Sequence, residues 1–301
     1  MTGPNPIDPR PAAAAAARPN WGAESLWQSL EPLLPGLSIE VVERLDSTNS
    51  ELVERLRRAA RVAAPQDGRD GRSGRSDDLL PQLLVATHQT AGRGRLGRRW
   101  HATPGASLTF SLALPLRRAD WSGLSLAVGL AVVQAFEPAP AAAVARLGLK
   151  WPNDVMLREA GGIGRKLGGI LIESVAVGEH KVAVVGIGLN VQAQRIADPD
   201  IPLATLNELL PEATAQSALG QLLPALVAAL VAFDREGFAP NVAAYAARDV
   251  LQGLPLRTTD VLAPEGVGDG VDADGALRLQ ADGQTRRVIS GEVSVRLAVV
   301  R

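Results

Sequence analysis

Residues 166–191 read KLGGILIESVAVGEHKVAVVGIGLNV. Two runs in it, Gly168 to Val177 and Lys181 to Val191, are apolar and rich in β-branched residues, which favours strands. Only Gly178, Glu179 and His180 lie between them. A connection that short closes a hairpin, whereas parallel neighbours need a long crossover. The fold is therefore expected to be α+β, built on antiparallel pairing, and not a simple doubly wound sheet.

Working outward, Ser38 to Leu45, Leu83 to Thr87 and Leu108 to Leu114 read as further strands. Helical spacing marks Trp21 to Leu34, Glu51 to Val62, Gly123 to Phe136, Ser217 to Glu236 and Val242 to Leu251. Asp46-Ser47-Thr48-Asn49 is a polar cluster with helix-start chemistry. From about Leu254 short strands alternate with Asp-Gly turns at Asp274-Gly275 and Asp282-Gly283, which suggests a small β-barrel. The expected organisation is a disordered tail over 1–20, a large domain over 21–251 and a small one over 252–301. A Gly-, Arg-, Asp- and Ser-rich stretch, 65–78, is expected to be a flexible insertion. Its arginines alternate with aspartates, which weakens a nucleic-acid reading.

The composition suits a soluble globular protein, with 46% hydrophobic and 21% charged residues in 301. A net charge of −1 gives no global field toward nucleic acid or an anionic membrane. With no cysteine, disulfides and thiolate chemistry are excluded, and the cytoplasm is the expected location. His88, His101 and His180 do not have zinc-ligand spacing. The apolar stretch Leu219 to Phe233 is interrupted by Gln221 and Pro224 and reads as a buried or amphipathic helix. The basic residues are 28 arginines and only three lysines, Lys150, Lys166 and Lys181.

Four segments can carry chemistry. QTAGRGRLGRRW, residues 89–100, packs three glycines and four arginines into one loop after a strand. Glycines let backbone N–H groups approach a ligand, and guanidinium forks bind phosphate or carboxylate. A solvated basic loop is the plainer alternative. In KWPNDV, residues 150–155, Pro152 stiffens a turn that presents Asn153 and Asp154. Asp154 could hold Mg2+ or orient an arginine, and an ordinary Asx-capped turn fits equally. In KLGGILIES, residues 166–174, Lys166 stands at the mouth of an apolar run, with Gly168 and Gly169 leaving room beside the strand. It could neutralise charge on a phosphate, or simply face solvent. In VVGIGLNV, residues 184–191, alternating glycines suggest that something lies against that face, and Asn190 is the one polar side chain.

DSTN, GRGRLGRRW, KWPND, KLGGILIE and VGIGLN, in this order, resemble the catalytic domain of biotin protein ligases. The terminal GEVSVR resembles the start of the last strand of that family's small C-terminal domain. The resemblance runs from about Ile39 to the C-terminus. It implies a mixed, largely antiparallel sheet like that of class II aminoacyl-tRNA synthetases, flanked by helices and followed by an SH3-like barrel. The reaction it implies makes biotinyl-5′-AMP from biotin and ATP with Mg2+. Biotin then passes to a lysine of a biotin carboxyl carrier protein.

By the same resemblance Ser47, Thr48, Asn49 and Gln89 would line the biotin pocket. Arg93, Gly94 and Arg95 would close over biotin and the adenylate, and Gly169 would leave space beside biotin. Lys166 would contact the biotin carboxylate and the phosphate, with Arg95 as its catalytic partner. Arg98, Trp100, Lys150, Asn153 and Asn190 would complete the nucleotide contacts, and Asp154 and Asn190 would sit near Mg2+. The chain departs from the family's repressor members, since the 45 residues before Asp46 do not fit a DNA-binding domain. It is expected to bind neither DNA nor membrane, as a monomer or homodimer. Glu159 to Gly164 lengthens one turn, and Gln192 to Thr205, where the adenine cover belongs, has no tryptophan. Lipoate ligases or octanoyl transferases share the fold but differ in the Arg-Gly-Arg loop. A non-enzymatic biotin or nucleotide sensor is the rival of another class.

Overall fold

The computed structural model describes residues 20–63, 79–138, 145–159, 163–194, 202–289 and 295–298. The readings of 1–19 as a tail and 65–78 as an insertion lie outside these residues. So do residues 160–162 and 195–201, and 291–294 of the terminal motif.

In chain order the elements are α1 (Ala23–Leu30), β1 (Ser38–Leu45), α2 (Thr48–Ala63), β2 (Gln82–Gln89) and β3 (Ser107–Pro115). Then come α3 (Leu124–Phe136), β4 (Leu147–Lys150), β5 (Asp154–Leu157), β6 (Arg165–Val177) and β7 (His180–Asn190). The last are α4 (Ala215–Glu236), α5 (Val242–Arg248) and β8 (Pro255–Thr258), then β9 (Glu265–Val271), β10 (Leu277–Ala281), β11 (Gln284–Val288) and β12 (Val295–Leu297).

The hairpin is present. β6 and β7 pair antiparallel from Gly168↔Leu189 to Val177↔His180. The turn is therefore Gly178-Glu179 alone, and His180 belongs to the strand. Gly178 takes a positive φ of 60°, as a tight hairpin turn requires. The large sheet runs β1-β2-β3-β7-β6-β5-β4. β1 and β2 are parallel and joined across α2, while the other named pairs in this sheet are antiparallel.

Helix ends differ from the sequence expectation for local reasons. α1 covers Ala23–Leu30 and not 21–34, because Gly22 adopts a left-handed conformation and Trp21 buries outside the helix. α2 begins at Thr48 and not Glu51: the Ser47 carbonyl accepts from the Glu51 N–H, and its hydroxyl accepts from Ser50. α5 ends at Arg248, since Asp249 turns extended and bridges to Leu149 of β4. β4 and β5 were not anticipated; KWPND is the hairpin between them.

Helices cover both faces of the sheet. On one, Leu52, Val53 and Leu56 of α2 pack on Leu84, Ala113, Val175, Val177, Val182 and Val184. On the other lie α3 and α4, with Leu219, Leu222, Leu223, Leu226, Val227 and Leu230 buried. α4 is long and apolar enough to cross a membrane, but its apolar face is part of this core. Pro224 sits within it without ending it. The C-terminal strands form an antiparallel sheet, β11-β10-β9-β8-β12, whose buried residues join the same core. Trp151 is buried and donates from Nε1 to the Gly275 carbonyl at 3.0 Å, which ties KWPND to the C-terminal sheet.

A buried polar cluster lies at the junction. Glu137 pairs with Arg248, which also donates to the carbonyls of Glu137 and Leu147. Beside them Asp249 is 5% exposed; its Oδ1 caps the Leu251 N–H at 2.8 Å, while Oδ2 has no hydrogen-bond partner among the described residues. Burial pushes its carboxyl up from 3.8 to about 6, against the Leu251 amide and Arg158, which lower it. A raised acid pKa means the folded state holds the proton more tightly. The cost is absent below about pH 4, grows through the window from 4 to 6, and is complete above it. Asp249→Asn keeps the cap and removes the charge. It is expected to stabilise the protein by roughly 1–2 kcal/mol at pH 8 and not at pH 3.5, as denaturant titration at the two pH values would measure.

Candidate active site

The three central strands change character at one level. Under α2 their facing residues are Ala113, Val184 and Val182, Val175 and Val177, with Glu173 opposite Val184 at the edge of this level. One pleat repeat further along, β3 presents Ser111, Thr109 and Ser107, β7 presents Gly186, Gly188 and Asn190, and β6 presents Leu171 and Gly169. These are cross-strand neighbours: Ser111 and Leu171 flank Gly186, and Thr109 and Gly169 flank Gly188. Small and polar residues thus replace apolar ones where the helix stops, and a cavity of about 360 Å3 opens there.

One end of it is neutral and hydrogen-bonding. Ser47, Thr48, Asn49 and Gln89 line it and are all buried. The Thr48 N–H donates to Gln89 Oε1 at 2.6 Å. Asn49 lies flat on Gly186, where a Cβ would stand 2.1 Å from Asn49 Oδ1. Its Nδ2 donates to the Leu171 carbonyl and to Glu173, and Oδ1 accepts from Ser111 at 2.5 Å. Ser111→Ala is expected to loosen Asn49 and raise the KM for the ligand read at this end about tenfold, with folding stability measured alongside.

The other end is cationic, about 13 Å along β7 from Gly186 to Asn190. Lys166 Nζ meets Asp154 Oδ1 at 2.6 Å and lies 6.0 Å from the centroid of Trp100. Among the described residues Asp154 is the sole acid lining the cavity, against Arg93, Arg95, Arg98, Arg99, Lys150 and Lys166. Burial lowers the pKa of both Arg95 and Lys150, and attraction to Asp154 works against it. Arg95, Lys150 and Lys166 are half-buried and the other three exposed; such a surplus of cations is an anion site. Lys166 is aimed by a bulge: Val155 pairs with Gly168 and Met156 with Lys166, so Leu167 is extra and turns into the core.

Every residue given a ligand-contact role above lines this cavity, including Gly94, Trp100, Asn153, Gly169 and Asn190. Gly168, expected to leave room beside the strand, does not line it: a Cβ there would meet the Leu189 side chain at 2.4 Å. Trp100 rests on Gly188, where a Cβ would come within 2.4 Å of its ring. Asn153 and Asn190 are tethers: Asn153 donates to the Ile170 carbonyl and Asn190 to that of Lys166. Asn190 Oδ1 accepts from Gln194 at 2.8 Å. The arginine loop is a compact turn, with Gly94 N–H bonded to the Arg98 carbonyl and Trp100 N–H to that of Gly92.

Ser111, Gln194, Leu203 and Val295 were missed. Ser111 carried a signal, a hydroxyl in the apolar run LTFSLAL; Val295 reaches the cavity from the C-terminal sheet, which local pattern cannot reveal. Within 192–205 Leu203 lines the cavity and bridges to Lys166.

Among the described residues no group of three or more His, Asp or Glu could hold a metal ion. Asp154 supplies one carboxylate. That fits Mg2+ arriving with a nucleotide, which takes one or two carboxylates and completes its shell from phosphates and water.

Residues 77–190 match the model of the Biotin/lipoate A/B protein ligase family, and 256–296 that of the Biotin protein ligase C terminal domain. The chain is 35% identical over 285 residues to a biotin–[acetyl-CoA-carboxylase] ligase of Mycobacterium tuberculosis, covering 90% of this chain and 91% of that one. It is 30% identical over 273 residues to the bifunctional ligase/repressor BirA of Escherichia coli, covering 88% and 76%. Among solved structures, the biotin protein ligase of Aquifex aeolicus in complex with biotin and ATP aligns with a TM-score of 0.66 at 25% identity, over 87% of this chain and 99% of that one.

Proposed function

The chain belongs to the biotin protein ligase family, and from that premise we propose how its cavity carries out the reaction. The enzyme joins biotin to ATP as biotinyl-5′-AMP and transfers the biotinyl group to the biotin-carrying part of acetyl-CoA carboxylase. The observation that carries the residue assignments is the two-ended cavity, neutral at Asn49 and cationic at Lys166.

Biotin's ureido ring, which carries donors and an acceptor but no charge, belongs at Ser47, Thr48, Asn49 and Gln89. Its carboxylate then points along the sheet toward Lys166. ATP lays its phosphates among Arg95, Arg98, Lys150 and Lys166, with Trp100 as an apolar wall. Asp154 would hold Mg2+, which when bound offsets phosphate charge as a Lewis acid. As the carboxylate attacks the α-phosphorus, charge grows on the phosphoryl oxygens; Lys166 and Arg95 stabilise it from fixed positions. Pyrophosphate leaves. The amine of the carrier lysine next attacks the acyl carbon of the mixed anhydride, and AMP departs. No protein nucleophile is required. The loop over 92–100 excludes water from the adenylate. It should become resistant to protease nicking when biotin and ATP are added together.

The ranges 21–251 and 252–301 as two domains, a class II synthetase-like sheet in the first and an SH3-like barrel in the second, belong to the same reading. The C-terminal family match at 256–296 supports it. Pyrophosphate release separates the close rivals. We expect it with biotin and ATP and not with lipoate; lipoate-dependent release would transfer the assignment to the lipoate branch.

A further inference from the structure

We propose that Glu173 is a positioning residue that fastens the arginine loop to the biotin end of the cavity and so governs how long the adenylate is retained. The inference rests on the reaction proposed above. Glu173 follows Leu171 on the cavity face of β6, opposite Val184, where the sheet passes beneath α2. Its side chain is 25% exposed and does not line the cavity. One carboxylate there serves two groups that do. Oε2 accepts from Asn49 Nδ2 at 3.1 Å, and Oε1 lies 3.2 Å from Arg93 Nη2. Arg93 Nη1 adds a longer contact to Oε2 at 3.4 Å and donates to Ser50 Oγ at 3.2 Å.

Three separate pieces of chain thus converge on one anion: the first turn of α2, strand β6 and the loop that carries Arg95. Arg93 is therefore engaged at the rim, while Arg95, two residues on, lines the cationic end beside Asp154. The spacing divides the labour of the Arg-Gly-Arg unit: one arginine anchors the loop, the other faces the phosphates. The shared carboxylate also links the two ends, because a shift of Asn49 on binding the ureido ring changes the partner of Arg93. Exposed ion pairs contribute little alone, but a bidentate guanidinium contact fixes geometry.

Glu173→Gln preserves size and one acceptor oxygen and removes the charge. It is expected to raise the rate at which preformed biotinyl-adenylate escapes to solvent about tenfold, and to raise the KM for biotin several-fold with kcat for pyrophosphate release nearly unchanged. Glu173→Asp should recover part of the retention. Combining Glu173→Gln with Arg93→Met should cost no more than Arg93→Met alone, because both remove the same tether. A merely structural role would instead lower Tm and kcat together and give additive losses. Retention unchanged in Glu173→Gln, or additive losses in the double variant, overturns the proposal. Failure of the parent enzyme to release pyrophosphate with biotin would instead remove the reaction on which it rests.

Discussion

Lys166→Ala is expected to lower biotin-dependent pyrophosphate release by a factor on the order of 100 or more, the size seen when one preorganised donor to developing charge is removed. The side chain pairs with Asp154 at 2.6 Å, and it sits at the mouth of β6, where the proposed reaction brings carboxylate and phosphates together. Deleting it removes the ammonium paired with Asp154, leaving only the attraction of Arg95 and Lys150, and leaves new charge on phosphorus unmatched. The backbone role survives, since Asn190 binds the Lys166 carbonyl and not its side chain. Steady-state pyrophosphate release measures the loss. Adding Asp154→Asn to the variant should not restore activity, because the lysine serves the transition state and not only the aspartate. Release within about threefold of the parent would remove Lys166 from the chemistry.

Gly186→Ala should raise the KM for biotin by roughly 30-fold or more while the KM for ATP changes little. The new methyl would stand 2.1 Å from Asn49 Oδ1 and 2.8 Å from its Cγ, so the whole carboxamide must leave. Asn49 then loses Leu171, Glu173 and Ser111 as partners. At about 1 kcal/mol each, the three hydrogen bonds correspond to at most about 150-fold, so a 30-fold rise needs roughly two of them. The phosphate end is about 13 Å away along the strand, which is why the two substrates should respond differently. Equal changes in both KM values would mean that the sheet itself was disturbed, and an unchanged value for biotin would mean that Asn49 does not read it.

What the sequence made legible was whatever short-range pattern encodes. The β6–β7 hairpin follows from two strand-like runs separated by a few residues. The glycine alternation over 184–191 announced a face held close to something, and that face carries Asn49 and Trp100. Helix α4 followed from apolar spacing. Less was visible where tertiary contacts decide. The four-residue strands β4 and β5 are too short to stand out, and they exist because β6 offers an edge. The bulge that turns Leu167 inward and Lys166 toward the cavity depends on register across strands. Lys166 was identified by its type and setting; its aim was not. Glu173 passed as one charge in a motif because its two partners are 80 and 124 residues distant.

On the proposed mechanism one cavity first activates biotin and then delivers it to a protein lysine. Intact-mass measurement of a biotin carboxyl carrier domain, incubated with the enzyme, biotin and Mg-ATP, tests both steps together. The predicted result is a single added biotinyl group on one lysine, absent when either biotin or ATP is withheld. A carrier that stays unmodified while pyrophosphate is released, or one that gains biotin without ATP, would contradict it.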